Sequence, residues 1–263
     1  MKSRKGYIWI AVALGMALAF GALATLGGCA SMNGEGGEQE DGRDADWHYE
    51  MAAGYFESNE IPLALRELTK ALEKDPEHYE AHYLKGFIHM GRRDYSKAIQ
   101  HFKKTLDIEP EYYFAKNNLG SVYLAMDRWE DAVEIFEELV DEPLYSTPEL
   151  AHNNIGWAYF NMGEYRDAVE HFKQAVFLKP EMCLAHNNLG RTYEKMSRMS
   201  RAEKNYRKAI RKCPGKYAEP HFRLAKLLQE KEDSSARSHF EKCLEIEPES
   251  NLGDRCRQYL QVR

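Results

Sequence analysis

The chain has 263 residues, 43% hydrophobic and 30% charged, which is enough apolar content to pack a core and too much for a disordered chain. Its formal charge is −6, and residues 1–28 hold Lys2, Arg4 and Lys5 without an acid, so the remainder is more acidic still. A phosphate-binding surface needs clustered Lys and Arg, so the balance excludes nucleic acid as a partner.

Residues 1–28 read as a targeting segment: a basic start, "MKSRKG", followed by an apolar run from Tyr7 to Leu26. The run is long enough to span a bilayer, so an uncleaved anchor competes with a cleaved signal. The end of the run, "LGGC" at 26–29, resembles the bacterial lipobox, and that resemblance implies lipidation of Cys29 as the mature N-terminus. Several acyl chains would make a stable anchor. Ala30 rather than Asp after Cys29 implies, by the same resemblance, an outer-membrane location with the remaining chain facing the periplasm. Residues 29–44 are Gly-rich, acidic and without apolar periodicity, and form a flexible tether. The glycines of "GEGGE" lack the strand and helix that a nucleotide loop requires.

From residue 45 a period close to 34 sets in. A small residue recurs at Ala52, Gly86, Gly120, Gly156, Gly190 and Ala225, an alanine at Ala64, Ala98, Ala132, Ala168, Ala202 and Ala236, and a large apolar residue at Leu68, Phe102, Phe136, Phe172, Tyr206 and Phe240. Prolines close the units at Pro76, Pro110, Pro143, Pro180, Pro214 and Pro248. Period and slot order resemble the tetratricopeptide motif. The small slot lets the two helices of a unit approach, and the proline stops the second helix. The expected fold is all-α, a right-handed superhelical tetratricopeptide solenoid of six helix-turn-helix units, 45–78, 79–112, 113–148, 149–182, 183–216 and 217–248. Residues 249–263, with Arg255, Arg257 and Arg263, form a capping helix.

Chemistry is sparse. Of ten histidines, His48, His82, His152, His186 and His221 precede the small slot by four residues, and His101, His171 and His239 precede the second-helix aromatic. These read as register residues separated by whole units in space. His78 and His89 have no Cys, Asp or Glu constellation at ligand spacing, so no metal, cofactor or catalytic centre is expected. After six units only 15 residues remain, too few for a catalytic domain, and a protein partner rather than a small-molecule substrate is expected.

Four further cysteines in an exported chain suggest disulfides. Cys183 opens the fifth unit and Cys213 ends it, which favours that pair and leaves Cys243 with Cys256; a Cys213–Cys243 bridge across adjacent second helices is the rival.

The face formed by first helices is the candidate partner groove. Asn118, Asn154 and Asn188 stand two residues before the small slot, each preceded by another Asn, and can bind a partner's main chain or satisfy neighbouring helices instead. Around them lie Tyr83, Phe87 and Met90, then Phe114 and Leu124, then Leu150, Trp157 and Phe160, an apolar strip suited to a peptide. The fifth unit places Arg191, Glu194 and Lys195 at the corresponding offsets, so the groove is expected to change from apolar to charged along its length. The Lys-plus-Asn clamp by which chaperone-binding tetratricopeptide domains hold a terminal carboxylate is not evident.

Between the third and fourth units the rhythm breaks at "DEPLYSTPELAHNNIG", where Thr147 is placed to cap a helix starting at Pro148, with Glu149 near its positive end. This Pro-Leu-Tyr turn with a following Pro, the Asn-Asn-x-Gly starts, the Cys opening the fifth unit and the lipobox together resemble the PilF/PilW/Tgl family of tetratricopeptide outer-membrane lipoproteins. The resemblance implies a non-enzymatic pilotin that binds type IV pilus secretin subunits in the periplasm and promotes their outer-membrane localisation and multimerisation. A periplasmic adaptor for cell-wall enzymes or another envelope complex is the alternative.

Overall fold

The computed structural model describes residues 44–261, which form helices α1 to α13 and no strand. The signal segment, Cys29, most of the tether and Arg263 lie outside the described residues. Two compact units divide within α3, after Lys85.

The first unit contains α1 (Ala45–Glu57), α2 (Ile61–Lys74) and the start of α3 (Tyr79–Gly91). Asp44 caps α1 by accepting from the Trp47 amide at 2.8 Å, which satisfies one of the donors a helix start leaves open. The two helices pack through the fully buried Ala52, Ala64 and Leu68. His48, also buried, lies 2.8 Å from the Glu67 carboxylate. Burial alone would raise the pKa of Glu67, but hydrogen bonds from His48, Lys70 and Arg66 hold it below the usual range.

The second unit runs from Gly86. It contains α4 (Tyr95–Ile108), α5 (Tyr113–Ala125), α6 (Trp129–Val140), α7 (Pro148–Met162), α8 (Tyr165–Leu178), α9 (Cys183–Lys195), α10 (Met199–Lys212), α11 (Glu219–Glu230), α12 (Ala236–Ile246) and α13 (Asn251–Gln261). Helices pair in sequence order, and α13 packs on α12 and α11. The small slots explain how closely the pairs pack. A Cβ built on Gly120 would lie 2.8 Å from Phe136, and one on Gly156 2.8 Å from Phe172. Both rings are fully buried. The second-helix aromatic thus occupies the volume that a side chain on the first helix would need.

The turn inside each helix pair repeats one backbone solution. Asn59, Arg93, Asp127, Gly163, Ser197 and Glu232 all have positive φ. In each turn the next amide donates to the carbonyl five residues back, as in Glu60 to Tyr55, Arg128 to Tyr123 and Asp233 to Leu228, at 2.8 or 2.9 Å. This is the six-to-one bond of a Schellman ending, and only Gly163 adopts the left-handed conformation without steric cost.

The break between α6 and α7 is an ordered turn. Thr147 occupies the N-cap position of α7, but its side chain makes no capping hydrogen bond. With φ −133° and ψ 52° it departs from the extended backbone typical of a capping residue. Tyr145 anchors the segment instead. It is buried, its ring meets Tyr113 edge-on at 6.2 Å, and its hydroxyl donates to Asn117 Oδ1 at 3.2 Å. Glu149, in the first turn of α7, pairs with Lys179 at 2.9 Å.

Two disulfides hold the C-terminal part. Cys183 joins Cys213, with Cα atoms 5.9 Å apart, and Cys243 joins Cys256, with Cα atoms 6.3 Å apart. The second bridge lies in a core with Phe222, Phe240 and Ala225, with Tyr259 stacked on Phe240 at 4.8 Å.

Candidate functional site

Three of the groove candidates converge. Trp157 and Phe160 lie three residues apart on α7, hence on one face, and their rings stack with centroids 5.4 Å apart. Arg191, on α9, occupies the offset of Trp157 one unit later and places its guanidinium 4.7 Å from the Trp157 ring and 5.2 Å from the Phe160 ring. The apolar strip and the charged one therefore overlap in one place, where a gradual change along the groove was expected. The rings rest on a core of Phe172, Leu189, Tyr193 and Leu224, which fixes the platform.

Next to this cluster, Arg223 of α11 pairs with Glu219 at 2.7 Å and lies 3.7 Å from Glu194. The Tyr206 hydroxyl donates to Glu194 at 2.6 Å. Burial, followed by the charge of Glu194, pushes the Tyr206 hydroxyl far above the usual phenol range. Burial and the Arg223 charge both push Arg191 down, while Glu219 and Glu194 hold Arg223 up against its own burial. The close contacts of the two carboxylates thus go to Arg223 and Tyr206, and Glu219 acts on Arg191 only through its charge. Arg191 has only ring faces beneath it; its Nε and the Trp157 Nε1 are buried without a hydrogen-bond partner.

The remaining groove candidates separate into packing and surface. Leu124 is 2% exposed and Asn118 5% exposed, so neither lines a groove. In α5 every residue from Asn118 to Leu124 is buried, so this stretch is packed on several sides and only the start of the helix, with Phe114 43% exposed, is open. Asn188, 4% exposed, donates to Asn153 Oδ1 at 3.0 Å, and Asn187 donates to the Tyr217 hydroxyl at 2.9 Å. The first bond joins neighbouring first helices and the second ties α9 to the segment before α11, the structural alternative to main-chain capture. Leu150 packs on Ala175, Met182 and Ala185. Asn154 is half-buried. Tyr83 in the first unit and Phe87 in the second are half-buried.

The histidines also need correction. They are not all separated by whole units: His152 and His171 meet within one helix pair, Nδ1 to Nδ1 3.2 Å, and His221 meets His239 at 3.0 Å. His78 does have acidic neighbours, with Nδ1 3.2 Å from Glu80 and Nε2 3.3 Å from Asp46. His82 and His186 lie 3.1 and 3.3 Å from the carbonyls of Pro76 and Pro180. Among the described residues no group of three or more potential ligands is placed to hold a metal. A separate concavity of about 470 Å³, lined by Glu130, Glu134, Glu137, Asp141 and Tyr159 among others, went unnoticed in the sequence. Its acids run along one side of α6 to the capping Asp141 and read as an ordinary solvated face.

Tetratricopeptide-repeat family models match residues 49–113, 89–143, 150–182 and 185–214, together more than half of the chain. No curated protein matches the sequence. Among solved structures, PilW, described as a widely conserved type IV pilus biogenesis factor, superposes with a TM-score of 0.70 at 20% identity, covering 80% of this chain and 97% of PilW. PilF of Pseudomonas aeruginosa superposes with a TM-score of 0.67 at 20% identity, covering 82% of this chain and 97% of PilF. YrrB, described as a tetratricopeptide protein with an unusual peptide-binding site, gives 0.52 at 17% identity, covering 73% of this chain and 97% of YrrB. Repeats of this kind are scaffolds for protein–protein interaction, and with its helix pairs, small slots and matched segments the chain belongs to the tetratricopeptide-repeat proteins, with the fold that PilW and PilF share.

Proposed function

We propose that this chain is a lipid-anchored, non-enzymatic tetratricopeptide protein of type IV pilus biogenesis. It faces the periplasm from the outer membrane, binds secretin subunits and promotes their multimerisation. The observation that carries the reading is the likeness to PilW and PilF, which extends over 97% of each of those chains and over four-fifths of this one. The lipobox-like "LGGC" at 26–29 supports the anchor, and the aromatic platform of Trp157 and Phe160 supports a peptide-binding role.

Deletion of the gene tests the assignment. Surface pili should disappear and the secretin should stay monomeric on SDS gels; intact SDS-resistant multimers in the deletion strain would refute it. Cys29→Ala tests the anchor separately, because it removes the thiol that would carry the lipid. The substituted chain should leave the outer-membrane fraction, and unchanged fractionation would refute lipidation.

A further inference from the structure

We infer that Arg191 is an anion-recognition residue that takes a side-chain carboxylate, Asp or Glu, from a partner segment whose neighbouring apolar residue lies on the Trp157 and Phe160 rings. The inference deepens the proposed function and rests on the same face.

The charges beside the platform are unevenly paired. Four ionisable side chains meet between α9 and α11, Arg191, Arg223, Glu194 and Glu219. Two cations face two anions, but both carboxylates make their close contacts on one side. Glu219 holds Arg223 Nε at 2.7 Å, and Glu194 accepts from Tyr206 at 2.6 Å while facing Arg223. Among the described residues Arg191 has no salt bridge; the Glu219 charge reaches it only at a distance, and its guanidinium lies over the two rings, 4.7 and 5.2 Å away. A guanidinium presents five donors in a planar fork that fits a carboxylate through two parallel hydrogen bonds. Its Nε is buried without an acceptor, beside the equally unpartnered Trp157 Nε1. An unsatisfied buried donor marks a guanidinium that its own chain does not saturate, and an incoming carboxylate supplies an acceptor edge-on to that fork.

The surroundings select the source of that carboxylate. The chain as a whole is acidic, so the attraction is local and favours a single carboxylate over a polyanion. Asn154 lies one turn before Trp157 on α7 and is half-buried, on the approach to the platform. An amide there can bind the main chain of a segment that continues past the rings, which fits a side chain within a segment better than a chain terminus. Arg with its face on an aromatic ring and its edge toward a carboxylate uses both recognition modes of the guanidinium at once.

The test uses the full chain purified in detergent and a display library of random 12-residue peptides with both ends blocked. The wild-type chain should enrich peptides carrying Asp or Glu next to a large apolar residue, and Arg191→Gln should lose that enrichment. In the selected peptides, Glu→Gln should weaken binding about 10- to 100-fold on the wild-type chain and have no effect on Arg191→Gln. Arg191→Lys should keep the carboxylate preference at lower affinity, and the Arg191 Nε–H resonance of the wild-type chain should shift on adding the Glu peptide but not the Gln peptide. That resonance decides the matter even if Arg191→Gln fails to fold. Selection without an acidic preference, no selection at all, tolerance of Glu→Gln, or an unmoved Nε–H resonance would overturn the inference. Whether purified secretin subunits bind the same wild-type chain is scored separately, so failure of the secretin reading leaves the peptide result interpretable, and the reverse.

Discussion

Two glycine substitutions should move stability in opposite directions, although both sites lie inside helices and look alike by propensity. Gly→Ala within a helix stabilises by about 0.5–1 kcal/mol, through the entropy that glycine loses on folding. Gly54, in α1, has no heavy atom within 4 Å of where a Cβ would stand, so Gly54→Ala should gain that amount in full. At Gly156 the Cβ would meet Phe172 Cδ1 at 2.8 Å, Cε1 at 2.9 Å and Cγ at 3.1 Å, against an ordinary contact of 3.4 Å or more. Phe172 is completely buried beneath α7, so its ring cannot swing into solvent and the helices must separate. Overpacking of this kind costs about 1–3 kcal/mol, which leaves Gly156→Ala net destabilised by up to about 2.5 kcal/mol after the propensity gain. Urea denaturation followed by circular dichroism should raise the midpoint for Gly54→Ala and lower it for Gly156→Ala. Adding Phe172→Leu to Gly156→Ala should cost less than the sum of the two single changes, because the smaller side chain clears the contact. A midpoint for Gly156→Ala at or above wild type would refute the packing argument.

The disulfides and histidine pairs give two further predictions. Cys183 and Cys213 are 30 residues apart and Cys243 and Cys256 are 13 apart; in the chain-entropy account their closure stabilises by about 3.5 and 3 kcal/mol. Replacing both members of either pair by Ser should lower stability by about 2–4 kcal/mol, measured by urea unfolding under non-reducing conditions, and an unchanged midpoint would show that the bridge does not form. Acidification should destabilise the second unit. Burial, then the neighbouring His239, pushes His221 down to about 4 from an ordinary value of 6.5, and His152, His171 and His239 are also lowered, mainly by burial. Below pH 6.5 the unfolded chain binds protons that the folded pairs refuse, so stability falls as pH drops from about 6.5 toward 4. Unfolding midpoints across that range should decline for wild type and decline less for His221→Asn; identical slopes would count against the pairs as the cause.

The fold was legible because its determinants are local to one unit and recur. A small residue opposite an aromatic one, 16 residues apart, fixes how closely two helices pack, and Gly120 with Phe136 or Gly156 with Phe172 can be read without knowing the neighbouring unit. The turns were not legible at the same level. Asn59, Arg93, Asp127, Ser197 and Glu232 share a left-handed backbone but no side-chain chemistry, so the packed helices on either side set the conformation and the residue tolerates it. Thr147 shows the reverse case, a good capping residue whose backbone was claimed by the Tyr145 turn.

The candidate site was half legible for a physical reason. Offsets along a helix separate faces only where one face is open, as on α7, where Trp157 and Phe160 alternate with buried Ala158. On α5 and α9 the buried stretches Asn118–Leu124 and Ala185–Gly190 are continuous, so position relative to the small slot could not distinguish a groove residue from a core residue, and Asn118, Leu124 and Asn188 were placed on the wrong side. Arg191 was assigned to a charged segment following the aromatic one. The offset it shares with Trp157, one residue after the small slot in the next unit, puts its guanidinium on the preceding unit's rings. At this place the fourth repeat supplies the rings and the fifth the guanidinium over them, a juxtaposition read from a pair of equivalent positions 34 residues apart.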